Sequence, residues 1–263
     1  MELQGRYAEL RGLGLGVASM TYDPAPVIKK FADERKIEFP LLSDADHTIV
    51  ERYGILNRQY TPGERNYGIP HPGTFIVDRE GRVVARYFEE EFQYRNTAAS
   101  IALKIGRPVS GAASPTRQST PDLDIATFLT DQTVAPGHRF SIVLDVTPKP
   151  GMRVVAPGQH AYRVVTLRLD PSDNLRVYRF TYPQSTEVAV SARNERLPAY
   201  AQPFRLVQDV AVVVNAEMRQ LGQKPGSTFT VRGVLEYQAC TESSCDEPRQ
   251  VPLSWTVRLT PLG

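Results

Sequence analysis

The spacing of hydrophobic residues changes once along the chain, from a helical to a strand-like period. Near the start, Leu3, Tyr7 and Leu10 recur at i, i+4 and i+7, which predicts a short helix ended by Gly12. The apolar and small residues at 13–20 predict a buried strand. Beyond residue 121, hydrophobic residues alternate with polar ones, as they do in half-buried strands. The sequence therefore predicts two domains of different secondary structure.

The first 105 residues carry the pattern of an α/β layer domain. Asp23 is a candidate N-cap for a helix with Pro24 in its first turn, and we expect Val27, Ile28 and Phe31 on its buried face. The remaining predicted elements are an extended piece at 39–44, a helix at 47–53, a polar loop at 57–68, strands at 74–78 and 82–87 joined by the turn 79–81, and a helix at 94–105. This order predicts an α/β domain with one hairpin at the edge of its sheet.

The rest of the chain predicts an all-β domain. Alternation is clearest in four runs, at 140–146, 165–169, 229–231 and 251–257. Proline and glycine separate these runs and no helical pattern lies among them, which favours an antiparallel sandwich over 122–263. The small, polar and proline-containing segment 106–121 is predicted to be the linker between the domains.

Composition and charge exclude several classes of function. With 31 Lys and Arg against 29 Asp and Glu, the net charge of +2 gives no basic face for nucleic acid. No apolar run approaches the roughly 20 residues of a membrane span, and the first residues do not have the pattern of a signal peptide. The histidines His47, His71, His138 and His160 show no metal-ligand spacing with one another or with the cysteines, so we expect neither a metal nor another cofactor.

Two cysteines, Cys240 and Cys245, carry the candidate chemistry. Four residues separate them in a loop between two predicted strands, which can bring their Cα atoms to the separation of about 4.4–6.8 Å that a disulfide needs. A bond that closes so short a loop lowers the conformational entropy of the unfolded chain less than a long-range bond does. It therefore stabilises the fold less, which favours redox exchange over a structural role. Carboxylates follow closely at Glu242, Asp246 and Glu247, and we expect them to raise the pKa of the thiols. A local structural disulfide remains the alternative.

The front of the chain resembles a known family. The segments GVASMTYD (16–23), IKKFADERKIEFPLLSDADHTIVERYGI (28–55) and GIPHPGTFIVDREGRVV (68–84) are similar in order and spacing to the peroxiredoxin/TlpA-like (AhpC/TSA, redoxin) branch of the thioredoxin superfamily. The resemblance covers about residues 1–105 and implies a thioredoxin fold. In that family a catalytic cysteine begins the helix that precedes the first of these segments. Here the sequence begins within that helix, so we expect a domain that lacks its first strand and its redox cysteine, from either a fragment or a late start.

The same resemblance assigns a role to Pro72 and predicts a defect in the sheet. Pro72 matches the family's cis-proline, which lies beside the redox cysteine and binds substrate thiols; an ordinary trans proline that opens a strand is the alternative. Without its first strand, the sheet should have a gap between residues 13–20 and 74–78. We expect that these strands close on each other, that a partner supplies the strand, or that the domain is only marginally stable.

The back of the chain resembles a second family. The Tyr-Gln-Ala-Cys sequence at 237–240, the second cysteine at 245 and Val-Pro-Leu at 251–253 are similar to the N-terminal domain of the disulfide-interchange protein DsbD, an immunoglobulin-like periplasmic module. The resemblance covers about residues 122–260. It implies that Cys240 and Cys245 are the catalytic pair, that Tyr237 contributes to substrate binding, and that residues 184–200 form a cap over the cysteines. It also implies thiol or disulfide proteins as partners and a membrane-bound electron donor.

Together these features predict a bacterial thiol–disulfide oxidoreductase outside the cytoplasm. Electrons would be exchanged through Cys240 and Cys245, and we expect no peroxidase activity from this chain because residues 1–105 contain no cysteine. The alternatives are a non-catalytic docking module held by a structural disulfide, and a fragment without activity.

Overall fold

The computed structural model describes residues 2–88, 91, 93–109, 114–190 and 195–262. The chain divides into two compact units, Met1–Ser110 and Gly111–Gly263, here called the front unit and the back unit. Residues 110–113 of the predicted linker and 191–194 of the predicted cap lie outside the described residues. No helix in the described part of the chain is both long and apolar enough to cross a membrane.

The front unit alternates short helices with short strands. Its elements are α1 (Glu2–Gly5), α2 (Tyr7–Gly12), β1 (Ser19–Thr21), α3 (Ala25–Arg35), β2 (Leu41–Ser43), α4 (Thr48–Arg52), β3 (Gly73–Val77), β4 (Val83–Phe88), β5 (Arg95–Asn96) and α5 (Ala98–Lys104). The predicted α/β pattern and the hairpin of β3 and β4 are confirmed. The strand predicted at 13–20 is much shorter, since only Ser19–Thr21 pair with a neighbour.

The strands of the front unit form two separate pairs. β1 runs parallel to β2, with Ser19 opposite Leu41, and β3 runs antiparallel to β4. Within the described residues no ladder joins β1 to β3, so the two strands that were expected to flank a gap do not close on each other. Side chains of the hairpin remain exposed, among them Val77 (53%) and Val84 (61%).

Helix α3 differs from its prediction in two respects. Its N-cap is Pro24, in an extended conformation, and not Asp23, whose carboxylate instead accepts a hydrogen bond of 2.6 Å from the Thr21 hydroxyl. Ile28 is buried as predicted, but Val27 (54%) and Phe31 (45%) are exposed. The expected apolar face is therefore wrong for these two residues, because the described neighbours of α3 cover only a narrow stripe of the helix that contains Ile28.

The back unit is built almost entirely from strands. They are β6 (Thr116–Ser119), β7 (Leu123–Leu129), β8 (Thr133–Val134), β9 (His138–Pro148), β10 (Arg153–Val155), β11 (Thr166–Leu169), β12 (Leu175–Val177), β13 (Thr186–Val190), β14 (Glu195–Tyr200), β15 (Phe204–Val212), β16 (Thr228–Tyr237), β17 (Ala239–Cys240) and β18 (Arg249–Leu259), with one helix, α6 (Ala216–Gln223), between β15 and β16. The predicted β-rich domain is confirmed.

Two large sheets enclose the main core of the back unit. One has the strand order β11-β16-β18-β8 and the other contains the order β12-β15-β9-β7-β6. Burial alternates along β18, where Val251, Leu253, Trp255 and Val257 are buried and the residues between them are exposed. The indole Nε1 of Trp255 donates a 2.9 Å hydrogen bond to the Thr127 hydroxyl on β7, which ties one sheet to the other. The period-two prediction therefore identified the core-facing residues of this strand.

Two elements of the back unit differ in kind from what the sequence predicted. α6 begins at the N-cap Asn215, whose side chain accepts a 2.8 Å hydrogen bond from the amide of Met218, and Met218 is buried. β6 lies inside the segment predicted as linker and pairs with β7, so the linker prediction is wrong for Thr116–Ser119. Its four side chains are polar and mostly exposed, as on an edge strand, so hydrophobic periodicity gave no signal for it.

A third, smaller sheet carries the cysteines. Its strand order is β13-β14-β10-β17, with antiparallel pairing throughout. Val154 of β10 packs into the main core, whereas the next residue, Val155, packs on the opposite face of this sheet. The sheet therefore has a core face and an outer face.

Candidate functional site

Cys240 and Cys245 are bonded to each other on the outer face of the small sheet. The S–S distance is 2.05 Å, and the two residues also form an isolated antiparallel bridge. The predicted bond is confirmed, although the Cα atoms are closer, at 3.8 Å, than the range expected from the sequence. The reason is that the two residues are direct cross-strand partners, the arrangement in which antiparallel backbones approach most closely.

The two half-cystines differ in exposure. Cys240 is 1% exposed and packs with Val155, Leu197 and Ala199 in a small hydrophobic cluster, here called the cystine cluster. Cys245 is half-buried and lies at the margin of that cluster. A reagent from solution therefore meets Cys245 first.

The loop between the cysteines is held by its own hydrogen bonds. The amide of Thr241 donates to the carbonyl of Ser244 at 2.7 Å, and the Thr241 hydroxyl accepts from the amides of Ser243 and Ser244. Beyond the loop, the amide of Asp246 donates to the carbonyl of Ala239 at 2.9 Å. These bonds fix the backbone on both sides of the disulfide independently of the sulfur atoms.

Gln238 joins the same loop to the segment before β11. Its side-chain amide donates to the carbonyl of Asp246 at 2.8 Å, and its side-chain oxygen accepts from the amide of Arg163 at 2.8 Å. Next to it is an open cleft of about 720 Å³, lined by Ala161, Tyr162, Arg163, Val164, Thr166, Tyr182, Gln238 and Pro248. Because Tyr162 also packs on the cystine cluster, this cleft adjoins the disulfide.

A hairpin of β13 and β14 forms one side of the cystine cluster. Val188 and Leu197 are opposed across it, and both pack in the cluster. The hydroxyl of Tyr162 donates a hydrogen bond to the Glu195 carboxylate, which ties the hairpin to the cleft. The described part of segment 184–200 thus lies beside the disulfide in the same sheet and contributes side chains to the cystine cluster, whereas the sequence predicted a cap over the cysteines.

Arg153 is a residue of this site that the sequence did not reveal. It lies directly opposite Cys240 in the pairing of β10 with β17, and opposed residues of an antiparallel pair project to the same face. Its Nη1 atom is buried and has no hydrogen-bond partner within the described ranges. No local signal could have indicated it, because β10 is distant in sequence and meets β17 only in the folded sheet.

The predicted substrate residue Tyr237 lies on the other side of the sheet. Its side chain has no exposed surface and packs in the main core. Its hydroxyl donates to Thr120 at 2.9 Å and to Asp122 at 3.0 Å, and Asp122 also pairs with Arg249. Burial, reinforced by the hydrogen bond to Asp122, raises the pKa of Tyr237 to about 12. Direct substrate contact is not available to a side chain in this position, so this prediction is corrected to a role in the core.

Pro72 belongs to the front unit, where it is half-buried and precedes β3. Its peptide bond is trans, because no cis bond occurs among the described residues, and the expected cis-proline is therefore wrong. The trans form is the intrinsically favoured one, and it suits an extended entry into β3. The amide of the preceding His71 donates to the carbonyl of Ile55 at 2.6 Å.

Comparison with known proteins finds similarity in the front unit. Residues 1–86 match the AhpC/TSA family. Peroxiredoxin Bcp of Escherichia coli K12 is 30% identical over 81 residues, which are 31% of this chain and 51% of that protein. Alkyl hydroperoxide reductase C of Staphylococcus saprophyticus is 33% identical over 88 residues, which are 32% of this chain and 43% of that protein. The chain spans about half the length of the curated relatives it matches.

Two solved structures are similar over a larger share of the chain. The N-terminal periplasmic domain of ScsB from Proteus mirabilis gives a TM-score of 0.39 at 14% identity, covering 57% of this chain and 53% of that one. The N-terminal domain of DsbD from Neisseria meningitidis, in the reduced form, gives a TM-score of 0.31 at 14% identity, covering 60% and 98%.

Proposed function

We propose that the protein is a thiol–disulfide interchange protein in which the back unit exchanges electrons with dithiol partner proteins through Cys240 and Cys245. The observation that carries the proposal is the asymmetry of the disulfide, in which a half-buried Cys245 is bonded to a fully buried Cys240 beside an open cleft. A disulfide that only braced a sandwich would not need one sulfur within reach of a partner.

The asymmetry gives the exchange a direction. A partner thiolate attacks Sγ of Cys245, a new S–S bond forms between partner and Cys245, and the Cys240–Cys245 bond breaks with its electron pair leaving on Sγ of Cys240. The partner's second thiol then loses its proton and attacks the partner sulfur of the mixed disulfide, which releases Cys245 as a thiolate. The partner dithiol ends as a disulfide, and this chain ends as a dithiol after both thiolates take up protons.

The front unit contributes no thiol of its own to this exchange, since residues 1–105 contain no cysteine. It serves as a docking domain for redox partners, and Pro72, at the start of β3, remains a proposed contact for them. We expect no peroxidase activity from this chain, because peroxide reduction of the AhpC/TSA type needs a thiolate. A Cys240→Ser/Cys245→Ser variant that still reduced peroxide with a thiol donor would contradict this.

The setting that suits this chemistry is an extracytoplasmic one, the periplasm of a bacterium. Disulfides persist in oxidising compartments, whereas in the cytosol cysteines are kept reduced as thiols. A membrane-bound donor would then return electrons to the pair after each exchange.

Trapping of the mixed disulfide tests the proposal. The partner is a thioredoxin-type protein whose second cysteine is changed to Ser and whose remaining cysteine carries a thionitrobenzoate group, which leaves as the mixed disulfide forms. With Cys240→Ser, the accessible Cys245 should form a stable mixed disulfide with this partner, whereas Cys245→Ser should form it at least about tenfold more slowly because Cys240 is buried. Equal trapping by the two variants, or none, would contradict the proposed exchange. The reduction potential of the wild-type pair should lie clearly above about −300 mV.

The second candidate function is a docking module whose disulfide is structural. The 1% exposure of Cys240 and its packing in the cystine cluster favour it. A potential of about −300 mV or lower would support this candidate instead.

A further inference from the structure

The outer face of the small sheet carries an arginine opposite the buried half-cystine. Arg153 and Cys240 are direct partners in the antiparallel pairing of β10 with β17. Alternation along β10 agrees with this, because Val154 packs in the main core and Val155 packs in the cystine cluster. Arg153, two residues from Val155, therefore projects to the same face as the cluster.

One end of this guanidinium has no partner. Nη1 of Arg153 is buried and donates no hydrogen bond to any of the described residues. Leaving a buried donor of a charged group unsatisfied costs stability, so such a group is expected to have a partner in some state of the protein. In the oxidised state the neighbouring sulfur carries no charge and is a weak acceptor.

Reduction supplies the missing partner. When Cys245 is attacked, the electron pair leaves on Sγ of Cys240, which is the half-cystine opposite Arg153. A thiolate that is 1% exposed is poorly hydrated, and a nearby cation is the group that stabilises it best.

We propose that Arg153 stabilises the thiolate of Cys240 and so makes Cys240 a better leaving group when a partner attacks Cys245. This inference rests on the proposed function and names the residue that stabilises the departing sulfur. Other charged or titratable groups near the site are the hydrogen-bonded pair Tyr162 and Glu195, the loop carboxylates Glu242, Asp246 and Glu247, the exposed Arg163, and His160, whose Nε2 lies 2.8 Å from the carbonyl of Ala156. The negative charges of the carboxylates destabilise a thiolate at Cys240. The positive charge of Arg153, on the adjacent strand, offsets this effect.

The test isolates Cys240 as a single thiol. In a Cys245→Ser background, the thiolate absorbance at 240 nm is titrated with Arg153 intact and with Arg153→Met. Arg153→Met should lower the fraction of Cys240 thiolate at neutral pH by about tenfold or more. Arg196→Met is the matched control, since Arg196 lies on β14 of the same sheet, is exposed, and alternates with Leu197 of the cystine cluster; it should leave the titration unchanged.

Charge and packing are separated by a third variant. Arg153→Lys keeps the charge and should retain most of the thiolate, whereas a loss equal to that of Arg153→Met would overturn the proposal, as would an unchanged titration in Arg153→Met. These outcomes are independent of the proposed function, because that function fails when no mixed disulfide forms at Cys245, whatever the titration of Cys240 shows.

Discussion

Val188 lies directly opposite Leu197 in the hairpin of β13 and β14, and both side chains pack against the disulfide. The hairpin is thus more than a neighbour of the cysteines, since its apolar face forms one wall of the cluster that buries Cys240. Access to the sulfur atoms should depend on how firmly this wall is held.

The first prediction is that Val188→Ala speeds reduction of the disulfide by a small dithiol such as dithiothreitol. Removing two methyl groups loosens the wall beside Cys240 at little cost to the rest of the core, because Val188 is half-buried. We expect the rate to rise several-fold in stopped-flow thiol release. Val177→Ala is the control, since Val177 is 50% exposed on β12 of another sheet, and an equal acceleration there would contradict a covering role for the hairpin.

The second prediction concerns Tyr237→Phe. The change removes the hydroxyl that donates to Thr120 and Asp122, and it leaves the buried Asp122 with one fewer donor. We expect the free energy of unfolding to fall by about 1–3 kcal/mol in urea denaturation, with the rate of disulfide exchange unchanged.

Tyr182→Phe serves as its control, because the Tyr182 hydroxyl donates only a longer, 3.2 Å bond to Thr166 and the residue is half-buried. If Tyr237→Phe slowed exchange without lowering stability, the predicted substrate role of Tyr237 would be restored.

The third prediction is a loss of stability in alkali. Burial raises the pKa values of Tyr200 and Tyr237 to about 12, so both side chains stay protonated in the folded state where an unfolded tyrosine ionises near 10. The stabilisation is fully present below the unfolded pKa and is lost as the pH rises through the folded one. Unfolding free energies measured from pH 9 to 12 should therefore decline above about pH 10, and the decline should be shallower in Tyr237→Phe.

The fourth prediction is that the front unit exchanges its amide hydrogens faster than the back unit does. Its strands form two isolated pairs with exposed valines, and two-stranded sheets are marginal in water. In the full chain, amides of β1 to β4 should be protected at least about a hundredfold less than those of β9 and β16. Equal protection would show that the separate pairs are as stable as the sandwich.

The sequence predicted elements best where one side of a strand is buried over a long run. Along β18, burial alternates residue by residue, so hydrophobic residues occupy every second position of the sequence: Val251, Leu253, Trp255 and Val257. The hydrophobic pattern did not predict β6, because it is a polar edge strand. It did not predict the short α6 either, because the buried face of that helix is little more than Met218. Its cap, Asn215 followed by Glu217, was a usable local signal that hydrophobic spacing alone does not register.

The candidate site was predictable only as far as it is local. The disulfide follows from two nearby cysteines in a predicted hairpin, and the structure confirms it. Arg153 is brought to the site by a strand pairing between distant segments, which no local pattern encodes. Tyr237 was assigned by its place in a motif, but the pleat sends it to the core face while Cys240 faces outward.

The backbone hydrogen bonds around the disulfide have a consequence for electron transfer. Cys240 is held by its pairing with Arg153, and Asp246 is held by the carbonyl of Ala239, so neither anchor depends on the S–S bond. Opening the bond should move the two sulfur atoms apart to van der Waals contact and leave the backbone on both sides almost unchanged. A partner would then have to distinguish the oxidised from the reduced protein at the sulfur atoms themselves, because the two forms would offer it nearly the same backbone shape.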